Sequence, residues 1–305
     1  MGAVVYLKDN LVPASEASLA IYDAGIVLGA TVTEMTRTFR HQPFRLDDHL
    51  GRLYRSCRYA GISPPLDRAR MEEVSLEVIA QNASLLAEKQ DLSLVHFITP
   101  GEIPSYAGLG TSSAPRNPTL CIHTFPLHFQ RFTSLFSEGA HVVTPSIRHV
   151  PPQCVDPKIK HRSRMYQWLG DQQTHQVDPQ AISLFLDLDG NVTETGGANF
   201  AIVRDSVLIA PTFRSSLPGI SLLTVQELCA ELGIGFEQKD FQVDDVINAD
   251  EAFLVATPYC LAPVTRINGS PIGTGEVQGP IFRRLIKAWS RRVHLDIVGQ
   301  ILDGD

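Results

Sequence analysis

Between Thr31 and Cys57 the spacing of apolar residues changes once, and that change restricts the chain to folds that combine sheet with helix. Thr31 to Phe39, TVTEMTRTF, alternates with period two, as a strand with one buried face requires, and the polar turn RHQPF follows it. From Leu46 the period lengthens. Leu50, Leu53 and Cys57 form one apolar stripe of a helix that Asp47 caps and that Gly61 and Pro64-Pro65 end. Arg52 and Arg55 lie beside the stripe. Upstream, VVYLKDNLV reads as two short strands about a D-N turn, so an antiparallel sheet opens the chain.

A second helix is expected over Asp67 to Leu85, and strands over Leu92 to Ile98 and Thr119 to Thr124 flank a glycine- and proline-rich loop, Pro100 to Pro118. Pro126 to Phe132 then reads as a link, which divides the chain into a smaller α/β domain (1–125), a linker (126–135) and a larger domain (136–305). The larger part begins with a strand near His141 to Thr144 and a helix from Ser163 to Thr174. Strands follow at Ile182 to Asp187, Asn199 to Val203 and Val207 to Ile209. A helix entered through Pro218-Gly219, a strand ending at Thr257 and a last helix over Pro280 to Val293 complete an α+β pattern.

At 305 residues and 44% hydrophobic, the chain has material for two cores. Its net charge of −7 argues against a polyanion-binding surface, so nucleic acid is not an expected partner. The five cysteines are scattered without a C-x-x-C pair, and no metal site is expected. No apolar run reaches membrane-span length, and MGAVVYLKDNLV lacks the basic region and long apolar core of a signal peptide; the expectation is a cytoplasmic protein.

Four local features carry chemistry. Lys158 and Lys160, in PKIKHRSR, share one side of an extended segment, and a desolvated lysine there would be nucleophilic; two solvated lysines are the simpler account of this segment alone. Glu194 follows the Asp189-Gly190 turn and precedes a flexible Thr-Gly-Gly link, a setting that equally suits a surface glutamate. In LPGIS, glycine before the open N–H groups of a helix start makes either a phosphate nest or an ordinary cap. Thr257 ends a strand with a hydroxyl, where a ligand contact or a simple exit from the core would each fit.

Taken in order, IYDAGIVLGATVTEMTRTF, FRLDDHLGRLYRS, IKHRSR, VTETGGANFAIVRDSVLIAP, LPGIS and ADEAFLVATPYCLAPV resemble the class IV aminotransferases over nearly the whole chain. These are the fold-type IV pyridoxal phosphate enzymes, among them branched-chain aminotransferase, D-amino acid aminotransferase and aminodeoxychorismate lyase. The resemblance implies an α+β, two-domain fold of the D-amino acid aminotransferase type with pyridoxal 5'-phosphate between the domains. It also implies a homodimer acting on small amino and 2-oxo acids, with the Pro100 to Pro118 loop as lid or subunit contact, although a disordered surface loop fits that segment equally well. Lys160 is then the lysine that forms the Schiff base, with Lys158 its competitor. Arg52, the N–H groups of Ile220 and Ser221, and Thr257 would hold the phosphate, and Glu194 would face the pyridine nitrogen. Gly196 and Gly197 would let the chain pass close to the ring, and Gly219 would permit the tight helix entrance.

Departures from the family pattern concern the substrate. Thr33 stands where an aromatic residue is frequent, although Glu34 and Arg37 are kept, and Pro100 replaces an arginine of the D-specific enzymes. Tyr166 approximates a tyrosine of the branched-chain enzymes, one position out of register. Arg148, Arg162 and Arg164 are candidates for a substrate carboxylate, or are helix-start surface charges. The expected reaction is transamination between an α-amino acid and a 2-oxo acid, of branched-chain-like or broad specificity. The alternative is a lyase releasing pyruvate and 4-aminobenzoate, which shares the lysine, the cofactor and the first proton abstraction.

Overall fold

The computed structural model describes residues 2–87, 90–108 and 117–303; part of the expected loop, residues 109–116, lies outside them. The chain forms two compact units, Met1–Leu127 with Ile159–Ser163, and His128–Lys158 with Arg164–Asp305.

In the first unit, β1 (Val4–Leu7), β2 (Asn10–Pro13), β3 (Val32–Phe39), β4 (Gln42–Pro43), β5 (Leu92–Thr99) and β6 (Thr119–Pro126) make one six-stranded sheet in the order β2-β1-β6-β5-β3-β4. Short α1 (Ala24–Val27) precedes β3, and α2 (Leu46–Tyr59) and α3 (Arg68–Ala83) pack on the sheet. Leu50, Leu53 and Cys57 of the predicted stripe are fully buried, and join Val74 and Val78 of α3 and Leu94 and Ile122 of the sheet in one core. The helix start differs from expectation. Asp47 lies inside the first turn; the N-cap is Arg45, in the left-handed region at φ 58°, with its Nε–H donating to Asp48 Oδ2 at 2.7 Å. An anchored arginine thus holds the strained entry that a small capping side chain would otherwise make.

The return of residues 159–163 to this unit corrects their assignment to the larger domain. His161 bridges to Val32, Thr33 N–H donates to Lys160 O at 2.9 Å, and Arg162 N–H donates to Thr31 O at 3.0 Å. This three-residue rung extends the sheet at β3, and its partner lies about 130 residues away in sequence, where no local pattern announces it.

In the second unit, α4 (Thr133–Ser137), β7 (Ala140–Val143), α5 (Met165–Val177), β8 (Ile182–Leu186), β9 (Val192–Thr195), β10 (Asn199–Arg204) and β11 (Val207–Ala210) are followed by α6 (Ile220–Leu232) and β12 (Gly235–Gln238). The remainder comprises α7 (Val243–Ile247), β13 (Glu251–Ala256), β14 (Cys260–Ile267), β15 (Ser270–Pro271), α8 (Pro280–Arg292) and α9 (Ile297–Asp303). The sheet runs β12-β11-β10-β13-β14-β7-β8-β9, with β15 beside β14. β9 pairs with β8 and also, through Glu194 opposite Asn199, with β10, so the path closes on itself. Glu194 therefore belongs to a strand at the seam of the closure, and that strand includes Thr195, the first residue of the expected flexible link. The alternation of Val192, Thr193, Glu194 and Thr195 is too short to mark it. No helix among the described residues is long and apolar enough to cross a membrane.

Candidate active site

On the first unit, β3 and α2 place three charged or titratable side chains together. Glu34 is fully buried and accepts from Arg52 at both oxygens, Nε to Oε2 at 2.8 Å and Nη2 to Oε1 at 2.7 Å. His49, one helical turn before Arg52, lies with Nδ1 3.0 Å from Glu34 Oε1. Burial alone would raise the Glu34 carboxyl, but the Arg52 charge and the hydrogen bonds from Arg52 and His49 hold it well below the usual carboxylate range. Burial pushes the His49 imidazole down; Glu34 opposes this, while the charges of Arg52 and Lys160 add to it. A neutral His49 whose Nδ1 faces an ionised carboxylate must carry its proton on Nδ1. The Lys160 backbone N–H donates to Ser56 Oγ of α2 at 3.3 Å, so the lysine's segment is pinned to both β3 and α2.

Thr33 and Arg162 meet on the same strand edge: Arg162 Nε–H donates to Thr33 Oγ1 at 3.2 Å, and the guanidinium carbon stands 4.7 Å from the centre of the Phe97 ring. Lys158, the competitor, is exposed and 3.8 Å from Asp156.

On the second unit, Glu194 Oε2 accepts from Asn199 Nδ2 and from the Leu217 N–H, each at 3.1 Å. Its Oε1 is 3.7 Å from Nε2 of buried His149, whose Nδ1–H donates to the Val150 carbonyl at 3.0 Å. The Tyr166 ring meets His149 and Phe185 edge to face, and its hydroxyl accepts from Gln167 Nε2 at 3.1 Å. Burial, and then the Glu194 charge, push the Tyr166 phenol far up, so it stays protonated. Arg164 and Arg148 are both exposed, and Arg164 Nη1–H donates to Gly196 O at 3.2 Å.

Asn199 ties this cluster to the helix start. Its Nδ2 also donates to Leu217 O at 2.8 Å, and its Oδ1 lies where a Cβ on Gly219 would come within 1.9 Å. Gly219 is the N-cap of α6 without a side-chain cap hydrogen bond, so the first N–H groups, those of Ile220 and Ser221 among them, need an acceptor from outside the helix. Asn199 stands opposite Val255 of β13, and Thr257, expected to end that strand, is the first residue of the turn that follows it. A Cβ on Gly197 would meet nothing within 4 Å.

Lys160, Arg52, Thr33 and Arg162 thus gather on the first unit, and Glu194, Tyr166, Arg164, Gly196 and Gly219 on the second. His49, His149, Gln167 and Asn199 escape a reading of the sequence; for His49 the spacing H-x-x-R on a helix is a usable signal. Among the described residues no group of three or more His, Cys, Asp or Glu is placed to hold a metal ion.

Residues 31–267 match the model of the amino-transferase class IV family, and the chain belongs to that family. It is 28% identical to the D-alanine aminotransferase of Bacillus licheniformis over 92% of this chain and 94% of that protein. It is 26% identical to branched-chain-amino-acid aminotransferase-like protein 2 of Arabidopsis thaliana over 94% of this chain, which spans only 50% of that longer relative. Among solved structures, the branched-chain aminotransferase of the thermophilic archaeon Thermoproteus uzoniensis with norvaline superposes with a TM-score of 0.84 at 23% identity, covering 98% of this chain and 96% of that one. The fold is the two-domain α+β fold of the fold-type IV pyridoxal phosphate enzymes.

Proposed function

We propose that this protein is a pyridoxal phosphate-dependent aminotransferase that moves an amino group between an α-amino acid and a 2-oxo acid. The observation that carries the reading is the Lys160 segment, pinned to β3 and to α2, the helix whose Arg52 and His49 both bond Glu34.

The donor set suits a phosphorylated pyridine aldehyde. On the first unit the buried guanidinium of Arg52, and on the second the uncapped helix start at Ile220 and Ser221 and the hydroxyl of Thr257, are each groups suited to a phosphate dianion. Gly196 and Gly197 leave room beside Glu194, and Gln167 Oε1, buried without a hydrogen-bond partner, marks a polar position there that the chain itself does not fill. When bound, the cofactor withdraws electron density from the substrate Cα. Glu194, oriented by Asn199 and the Leu217 N–H, would keep a proton on the ring nitrogen. Lys160 Nζ would hold the cofactor, and the same amine, when free, would be the base that takes the proton from the substrate Cα. Arg52 is kept in register by two bonds to a carboxylate that stays ionised.

The same reading carries a homodimer, supported by the exposed Met165, Trp168 and Leu169 on one face of α5. Mixing cofactor-loaded protein with L- and D-amino acids tests the function: one equivalent of 2-oxo acid should appear per cofactor, and a second 2-oxo acid should restore the starting spectrum. No oxo acid from any amino donor, together with pyruvate release from aminodeoxychorismate, would replace transamination by the lyase reaction.

A further inference from the structure

We infer that Arg162 is the specificity-determining residue of this site, receiving the carboxylate of the substrate and so selecting amino and 2-oxo acids over amines that lack one. The inference rests on the aminotransferase reading. Lys160 and Arg162 flank the bridging residue His161, so their side chains leave the extended segment on the same side, with Cα atoms about 7 Å apart. The two backbone bonds to Thr31 and Thr33 fix both residues to one strand edge, which places a cation at a constant offset from the lysine that would do the chemistry.

The guanidinium is pre-organised. Thr33 Oγ1 donates to the His96 carbonyl at 2.8 Å, which turns a lone pair toward Arg162 Nε–H at 3.2 Å, and the Phe97 ring supports the cation 4.7 Å away. With Nε held on Thr33, a planar carboxylate would be met by the Nη1 and Nη2 edge of the fork with two parallel hydrogen bonds. A hydroxyl at position 33 is what makes the anchor; an aromatic residue there would remove it. The charge also reaches along the same sheet, where it works against the burial that pushes Cys121 up to about 12 and adds to the burial that lowers His123. All three candidate arginines are exposed, but Arg148 and Arg164 belong to the second unit, where Arg164 holds the Gly196 carbonyl, and only Arg162 shares the Lys160 segment.

The test uses cofactor-loaded protein and two variants, Arg162→Gln and Arg162→Lys. Calorimetric binding of 4-methylvalerate, a carboxylate without a reactive amine or keto group, should weaken at least tenfold in Arg162→Gln and partly recover in Arg162→Lys. The ratio of kcat/KM for an α-amino acid to that for 1-phenylethylamine should fall at least tenfold in Arg162→Gln. Cofactor content per chain, read by absorbance, separates the two levels of failure. Unchanged 4-methylvalerate binding and an unchanged ratio in a cofactor-loaded Arg162→Gln protein would overturn the Arg162 assignment and leave the aminotransferase reading standing. A wild-type protein that takes up no cofactor would overturn that reading and the inference with it. If Arg162→Gln does not fold, the same two measurements on Arg162→Lys decide, and values equal to wild type would overturn the assignment.

Discussion

Glu34 holds Arg52 in a fork of two hydrogen bonds, 2.8 and 2.7 Å long, inside a core where both side chains are almost wholly out of solvent. Such a pair is costly to bury, but removing one partner costs more, because the other charge remains without compensation. Glu34→Gln is therefore expected to lose about 3–5 kcal/mol of stability near pH 7 in denaturant unfolding. Because the folded carboxyl is depressed, its contribution is fully present above the unfolded value near pH 4.3 and is lost as pH falls through the lower folded value. The difference between Glu34→Gln and wild type should accordingly shrink in strong acid.

His96 gives a second, separable pH dependence. Ser75 Oγ donates to Met71 O at 2.6 Å, so the 2.7 Å contact between Ser75 and His96 Nε2 requires the proton on Nε2. Nδ1 is then a buried atom with no partner, and protonating it would add an unsatisfied donor. Burial pushes this imidazole down to about 4. Below the unfolded value near 6.5 the unfolded chain binds a proton that the folded chain refuses, so stability falls between pH 6.5 and 4 by about 3 kcal/mol through this group. Unfolding curves of His96→Gln should show that much less loss over the same window.

Two glycines of the second unit predict opposite behaviour. An alanine methyl at 219 would meet Asn199 Oδ1 at 1.9 Å and displace the side chain that holds Glu194, at a cost of about 1–3 kcal/mol in Tm-derived stability. The methyl of Gly197→Ala meets nothing within 4 Å. That variant should keep its apo stability within about 0.5 kcal/mol and, on the proposed function, bind pyridoxal phosphate more weakly.

Glu194→Gln keeps an oxygen for Asn199 Nδ2 and the Leu217 N–H but removes the charge proposed to face the ring nitrogen. Steady-state kinetics should show kcat reduced about a hundredfold or more, with the cofactor still attached.

Much of this arrangement is local in sequence and therefore readable from it. The alternation of β3, the Leu50, Leu53 and Cys57 stripe that aims α2 at the sheet, and the Pro218-Gly219 entrance to α6 are each written within a dozen residues. What escapes reading is non-local. Nothing in PKIKHRSR encodes its pairing with β3, so sequence alone assigns Lys160 to the other unit. Glu194 is oriented by Asn199 and by a backbone N–H 23 residues downstream, and His149 reaches it from 45 residues upstream; such contacts exist only once the sheet has closed. Arg45 as a left-handed cap is similarly opaque, because its fitness for that position comes from Asp48 rather than from its own propensity.

Every step assigned to the site passes through Lys160. Wild-type protein loaded with pyridoxal phosphate, treated with borohydride, digested and mapped by mass spectrometry should carry one phosphopyridoxyl group on Lys160. Lys160→Ala should carry none and show no transamination. Label on Lys158, or on no lysine of a protein that does bind the cofactor, would contradict the assignment.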